Sequence, residues 1–252
     1  MTTRTDESAA DERHDAPASL VDALLVYAEP LSAGAHAVVI GDAESSVAER
    51  LLELGARAVH VFDPDPARAA NALRAAPRGV TVRALVDDLE VRDGAFDLAV
   101  IPDIAELNDP SGLVGRLRRA VAPGGALVAM GRARGVDDGH ELPFGNELGP
   151  PTLEYGALYD LFAMEFDEVS LAGVLPFHGV VFAELGQDEE APAVSVDTRL
   201  YDAPTPSVFV LVACPSWLHC RDLPLPPNES HFESWKGVME SNGVLIKSRA
   251  DG

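Results

Sequence analysis

Short hydrophobic runs alternate with segments of helical periodicity through the first half of the chain. Apolar residues three and four positions apart predict a helix that begins near Ser19 and is limited by Pro30. Apolar runs bounded by Gly, Asp or Pro predict strands at residues 36–40, 58–62, 80–86, 98–101 and 126–130. Amphipathic segments predict helices at residues 46–54, 66–75 and 111–121, and Ser46 and Glu49 have the spacing of a capping box. This alternation predicts an α/β fold with a doubly wound, mostly parallel sheet.

The pattern changes after Gly131, where a loop rich in Gly, Pro and acidic residues begins. A helix is predicted at residues 153–166, and later apolar runs predict strands, which we expect to be antiparallel, at 169–175, 180–185 and 208–213. Residues 1–18 are polar and charged, so we expect a disordered segment there. The predicted organisation is one domain over residues 19–214, followed by a proline-containing extension, 215–252, that wraps the domain or docks a protein partner.

The charge balance narrows the range of partners. The 252 residues include 41 Asp and Glu against 19 Lys and Arg, a formal net charge of −22. A surface this acidic repels phosphate backbones and anionic lipids, so we expect neither nucleic acid nor a membrane as partner. The N-terminal segment lacks the order of a signal peptide and favours a cytoplasmic location. We therefore expect Cys214 and Cys220 to be reduced thiols, and their spacing predicts no metal site.

Three segments resemble the class I S-adenosylmethionine-dependent methyltransferases. Residues 37–45 lie where that family has its glycine-rich loop after the first strand, and residues 61–65 are similar to its second strand with a terminal acid. Residues 93–128 are similar to its fourth strand, the following helix and the fifth strand. The resemblance covers roughly residues 19–214. It implies a Rossmann-like methyltransferase fold that binds S-adenosylmethionine.

The resemblance also implies which residues hold this cofactor. Asp63, at the end of the second strand, would hold the ribose hydroxyls. The adenine-facing acid of the family aligns with Leu85, and Asp87 follows two residues later. The full set of cofactor-binding candidates is Gly41, Asp42, Ala43, Glu44, Ser45, Asp63, Asp87 and Asp103.

The cofactor loop departs from the family pattern. Where the family has an acid on the first strand and three glycines, this chain has Val39, Ala43 and Ser45 and keeps only Gly41. Added side chains take up space beside the cofactor, and Val39 removes an anchor for its amino group. Acidic side chains in the same loop disfavour the pyrophosphate of NAD or FAD and favour a cationic cofactor. A favourable interaction of these acidic side chains with the positive end of the helix dipole explains their presence equally well.

Two residues are candidates for chemistry on the methyl acceptor. Methyl transfer is an in-line displacement, so the protein aligns the acceptor and, for a weak nucleophile, removes its proton. Asp103, after the fourth strand, and His178, between two apolar runs, are the candidate catalytic residues. Each also has a structural explanation, a turn or cap for Asp103 and a hydrogen-bonded turn residue for His178.

Two functions follow from these observations. The first is methyl transfer from S-adenosylmethionine to a small-molecule or protein acceptor. The alternative is a non-catalytic relative that has lost cofactor binding and serves as a regulatory or scaffold module. An open cleft facing Asp63 would favour the enzyme, and a pocket blocked by the loop side chains would favour the alternative.

Overall fold

A computed structural model describes residues 20–86, 89–134, 148, 150, 153–174, 193–194, 208–215 and 245–246. The helices are α1 (Leu20–Ser32), α2 (Val47–Glu53), α3 (Pro66–Ala75), α4 (Pro110–Ala120) and α5 (Tyr155–Ala163), with a 3₁₀ helix at Ile104–Glu106. The strands are β1 (His36–Ile40), β2 (Ala58–Asp63), β3 (Val80–Ala84), β4 (Phe96–Ile101), β5 (Val121–Arg134), β6 (Leu153–Glu154), β7 (Glu168–Val174), β8 (Ala193–Val194), β9 (Val208–Cys214) and β10 (Leu245–Ile246).

The main sheet is mostly parallel. Its strands follow the order β3-β2-β1-β4-β5-β9-β7, and β6 pairs with the far end of β5. The pairs among β1 to β5 are parallel, whereas β9 runs antiparallel to both β5 and β7. Strands β8 and β10 form a separate two-stranded pair. The predicted doubly wound α/β sheet with antiparallel late strands is therefore confirmed.

The core lies on both faces of this sheet. Helices α1, α2 and α3 cover one face, and α4 and α5 cover the other. Neighbouring residues of one strand enter opposite clusters, since Val39 packs on the α1 face and Val38 and Ile40 pack on the α4 face. Strands buried on both faces need apolar residues at every position, which explains the continuous apolar runs in the sequence.

Two helices begin at the same sequence signal, Asp-Pro. Asp65 accepts hydrogen bonds from the amides of Ala67 and Arg68, and Pro66 is the first helical residue of α3. At α4, Asp109 likewise accepts from Gly112, and a proline follows it. Proline fixes a helical φ and lacks the N–H that would be unpaired there, so the dipeptide specifies a helix start.

Two local predictions were wrong. The capping box does not form, because Ser46 has helical backbone angles and its side chain makes no capping hydrogen bond. Helix α1 continues past Pro30 to Ser32. A proline this close to a helix end removes one backbone hydrogen bond, and the buried Ser32 hydroxyl donates to the carbonyl oxygen of Ala28 at 2.7 Å.

Strand β5 begins earlier than predicted. It starts at Val121, directly after α4, and includes Pro123, Gly124 and Gly125, which come before the predicted strand at 126–130. The pairing register with β4 shifts in this region, and strand irregularities are where proline and glycine are tolerated. A Cβ atom on Gly125 would press against the backbone carbonyl oxygen of Asp97. Glycine is therefore required by the close approach of the two strands.

The cysteine prediction was also wrong. Cys214, at the end of β9, is disulfide-bonded, although we expected a reduced thiol. The chain's other cysteine, Cys220, lies outside the described residues, as do the predicted N-terminal segment, the predicted strand at 180–185 and most of the predicted extension. Disulfide formation depends on the separation of the two cysteines in space, which their number does not reveal. Within the described part of the chain, no helix has the length and apolarity needed to cross a membrane.

Candidate functional site

The carboxyl ends of β1, β2 and β4 lie side by side at one edge of the sheet. Strand β1 pairs in parallel with both neighbours, so all three strands end at this edge. Gly41 directly follows β1, Asp63 is the last residue of β2, and Asp103 comes two residues after β4. Open α/β sheets bind ligands in the crevice outside the carboxyl ends of their strands. The topology thus brings predicted site residues from three strands to one place.

A tight turn after β1 begins the candidate site. Gly41 has a φ of 87°, and its amide donates to the carbonyl oxygen of Phe62 at 2.8 Å. Asp42 has a φ of 47°, in the left-handed region that costs most residues about 1–2 kcal/mol but that Asp tolerates. The carbonyl of Asp42 then accepts from the amide of Ser45 at 3.0 Å. These bonds fix the loop against the end of β2.

Asp63 is completely buried and accepts three hydrogen bonds. Its Oδ2 accepts from the Ala43 amide at 2.7 Å and from Nε of Arg68 at 2.7 Å. Its Oδ1 accepts from the amide of Asp65 at 2.8 Å. A buried carboxylate needs such partners to offset its desolvation. Asp63 therefore ties the loop after β1 to the start of α3.

Arg68 extends this arrangement across the edge of the sheet. It lies in the first turn of α3, and its two terminal nitrogens donate to the carboxylate of Glu106 at 3.1 and 2.6 Å. The hydrogen bonds that Arg68 donates to Asp63 and Glu106 raise the pKa of its guanidinium. We call this three-residue arrangement, Asp63–Arg68–Glu106, the Arg68 bridge. It joins the end of β2 to the 3₁₀ helix after β4.

The Glu106 end of the bridge lies over Gly41. A Cβ atom built on Gly41 would be 3.3 Å from Oε2 of Glu106. The space that a glycine leaves open beside this loop is therefore occupied by a carboxylate.

Asp42 completes a strongly acidic environment. Burial and repulsion from Glu106 raise the pKa of Asp42, and Asp63 adds a smaller repulsion. A hydrogen bond with Ser45 and the charge of Arg68 act in the opposite direction. Three carboxylates here face one guanidinium, so the cluster keeps excess negative charge.

In this conformation the Arg68 bridge closes the ribose position of the cofactor that the sequence resemblance implies. The hydroxyls of a ribose would need the oxygens of Asp63, but this side chain has no exposed surface and already has three donors. A ligand beside Gly41 would meet the carboxylate of Glu106. The cleft is closed by the Arg68 bridge and not by the loop side chains that we considered from the sequence.

The rest of the predicted loop lines a different cleft. Ala43, Glu44 and Ser45 border a cavity of about 190 Å³ between α2, α3 and β3. Drug-sized ligands usually need about 300–1,000 Å³. The five loop residues are therefore divided, with Gly41 and Asp42 next to the Arg68 bridge and the other three at this smaller cleft.

Asp103 has a structural role. Its side chain is 7% exposed, and Oδ1 accepts from the amide of Ala105 at 2.8 Å, which caps the 3₁₀ helix. This cap was one of the two explanations that the sequence left open. Asp87 and His178 lie outside the described residues, so their roles stay predictions.

The sequence did not identify Arg68 as a site residue. Its position five residues after Asp63 resembles no motif, and arginines on this helix are explained equally well by a solvated face. The bridge becomes visible only in the tertiary structure, where Glu106, which follows the end of β4, lies next to Arg68. The one sequence signal is the Asp-Pro helix start, which puts Arg68 on the first turn beside the end of β2.

The chain is similar to known proteins in both sequence and fold. Residues 38–129 match the family model described as "Methyltransferase domain". No curated protein matches the chain in sequence. A solved S-adenosylmethionine-dependent methyltransferase from Mesorhizobium loti is 18% identical, with a TM-score of 0.50 over 82% of this chain and 98% of that one. Another from Aquifex aeolicus is 13% identical, with a TM-score of 0.51 over 83% and 98%.

The matched segment contains β2 to β4 and most of β1 and β5, and these strands form the edge where the Arg68 bridge lies. Solved structures this distant in sequence establish the fold, and the family model adds that residues 38–129 are similar in sequence to a methyltransferase domain. Residues 38–129 of this chain therefore match a methyltransferase domain, and the chain has the Rossmann-like fold of the S-adenosylmethionine-dependent methyltransferases.

Proposed function

We propose that this protein binds S-adenosylmethionine at the edge formed by β1, β2 and β4 and transfers a methyl group to a small-molecule or protein acceptor. The observation that carries the proposal is the excess negative charge at this edge, within the segment that matches the methyltransferase domain. Among the residues that the structure describes, Asp42, Asp63 and Glu106 face one cation, Arg68.

The charge favours one class of cofactor over another. S-adenosylmethionine carries a sulfonium and an ammonium group, and both are attracted to carboxylates. NAD and FAD carry a pyrophosphate, which the same carboxylates repel although helix N-termini otherwise bind it. Burial and then repulsion from Glu106 raise the pKa of Asp42, and a cationic ligand would offset both effects by stabilising the charged carboxylate.

The acceptor would lie beyond the ends of β4 and β5, beside the 3₁₀ helix. Asp103 supports this region by capping that helix, and we assign it a positioning role. His178 and Asp87 keep the roles predicted from the sequence, a base and an adenine-facing acid. The proposal names no acceptor, because no described side chain selects one.

A second function is favoured by one specific observation, the complete burial of Asp63. If the Arg68 bridge never opens, the chain is a non-catalytic member of the family that acts as a regulatory or scaffold module. The bridge would then serve as an internal replacement for the cofactor.

Calorimetric titration with S-adenosylmethionine, S-adenosylhomocysteine and NAD tests the proposal. We expect binding of the first two ligands but not of NAD, and a gain of about 2.7 kcal/mol in unfolding free energy at a hundredfold excess over Kd. Asp42→Asn, which removes one charge at the site, should weaken S-adenosylmethionine binding several-fold. Asp22→Asn is the matched control, because Asp22 pairs with Arg50 on the surface at 3.1 Å.

The contrary results are specific. If neither adenosyl ligand gives heat or thermal stabilisation at millimolar concentration, the cofactor proposal fails and the non-catalytic function replaces it. Binding of NAD in their place would point to a nucleotide-dependent dehydrogenase. If Asp42→Asn and Asp22→Asn have the same effect, the attraction is not local to this edge.

A further inference from the structure

We infer that Arg68 sets the cofactor affinity of the free protein: its guanidinium closes the ribose position by bridging Asp63 and Glu106, and cofactor binding requires it to leave. This inference rests on the proposed function. It concerns a residue that neither the family pattern nor the sequence motifs single out.

The contacts of the Arg68 bridge are strong enough to hold the ribose position closed. Arg68 donates through Nε to Asp63 and through both terminal nitrogens to Glu106, at 2.6 to 3.1 Å. Paired donation from a planar guanidinium to a carboxylate is among the stronger charge-assisted hydrogen bonds. The Arg68 and Glu106 side chains are only 23% and 31% exposed, so solvent screens the pair incompletely. Arg68 lies in the first turn of α3, and this position restricts the directions in which its guanidinium can point.

The bridge and the cofactor would use the same atoms. Oδ2 of Asp63 is the acceptor for Arg68, and a ribose hydroxyl would need an oxygen of the same carboxylate. The Glu106 carboxylate that Arg68 holds also lies over Gly41. One side-chain movement would therefore free both the ribose position and the space beside the loop.

A closed state lowers apparent affinity by the fraction of molecules that are open. If the bridge is open in about one molecule in ten or fewer, its removal should tighten binding by tenfold or more. The gain would be independent of the acceptor, which makes it measurable by binding alone.

The decisive experiment compares S-adenosylmethionine and S-adenosylhomocysteine binding to the full chain and to Arg68→Met. Methionine keeps the apolar stem and removes the bridge, and we expect at least tenfold tighter binding of both ligands. Arg74→Met is the matched control. Arg74 is on the same helix, and its terminal nitrogen donates to the exposed side chain of Asn71 at 3.2 Å, away from the bridge. Its affinity should stay within twofold of the unmodified protein.

A second measurement needs no ligand. Urea denaturation of Arg68→Met, Glu106→Gln and the double variant forms a double-mutant cycle. If the bridge exists in solution, the double variant should lose less stability than the sum of the two single variants. If Arg68→Met does not fold, Arg68→Lys supplies the binding test, because an ammonium can neutralise Asp63 but cannot form the paired contact with Glu106.

The outcomes separate this inference from the proposed function. Tighter binding by Arg68→Met than by the unmodified chain supports the inference, including the case in which only the variant binds, which would make the natural protein non-catalytic. Equal or weaker binding by the variant overturns the inference and leaves the proposed function standing. If neither protein binds, both fail. Additive losses in the cycle overturn the bridge itself.

Discussion

Replacement of Asp63 by Asn should destabilise the protein because of the hydrogen-bond geometry at this residue. The carboxylate accepts from the amides of Ala43 and Asp65 and from Arg68, and every donor is within 2.8 Å. Asn has a single acceptor oxygen, so its amide nitrogen must face at least one of these donors. An unsatisfied buried N–H costs about 1–3 kcal/mol, and replacing a charged acceptor for Arg68 by a neutral one costs roughly 1 kcal/mol more.

The expected loss is about 3 kcal/mol, which corresponds to a fall of roughly 6–12 °C in Tm for a domain of this size. Differential scanning calorimetry measures it directly. Asp22→Asn is the control, since the Asp22–Arg50 pair is 41% and 44% exposed and such pairs contribute less than about 1 kcal/mol. If Asp63→Asn lowers Tm no more than Asp22→Asn does, the buried three-donor site is not present in solution.

Three further predictions concern other parts of the structure. Gly125→Ala should destabilise the protein by roughly 1–3 kcal/mol in urea denaturation, because its methyl group would press on the backbone of β4, and a change near zero would contradict the observed register. The pKa of Asp42 is raised above its ordinary value of 3.8, so the folded state holds this proton more tightly and stability falls as pH rises above that value. Asp42→Asn should therefore raise Tm at about pH 7 and lose this advantage below the ordinary pKa; an equal gain at both pH values would assign the effect to the left-handed backbone instead. Thiol titration of the denatured, unreduced chain should find no free cysteine, since Cys214 is disulfide-bonded and the chain has 2 cysteines; two reactive thiols would contradict the disulfide.

Local sequence signals were sufficient for most of the fold. The Asp-Pro pairs at the starts of α3 and α4 combine a side-chain cap with a fixed φ, and both act within one helical turn. The apolar runs of β1 and β4 are continuous because both faces of these strands are buried. Such signals depend only on residues that are close in sequence, so they can be identified without knowledge of tertiary contacts.

Predictions failed where distant residues decide the outcome. Strand β5 extends back to Val121, before the predicted strand at 126–130, because β4 pairs with it from that residue onward. Ser46 has the spacing of a cap, but the preceding loop is held by hydrogen bonds to β2 and leaves its backbone helical. Cys214 is disulfide-bonded, although the two cysteines and the lack of a signal-peptide pattern predicted reduced thiols.

The sequence by itself determined the order of strands and helices, the resemblance to methyltransferases and the position of Asp63 at the end of β2, because these depend on periodicity and on short motifs. Tertiary structure alone decided what Asp63 contacts. Arg68 is five residues from Asp63 and Glu106 is 38 residues from Arg68, and they meet only because parallel strands end at a common edge. Whether an acid at the end of a strand is open to a ligand or enclosed in an ion pair depends on such distant neighbours. The sequence could therefore place the site but could not tell that the Arg68 bridge closes it.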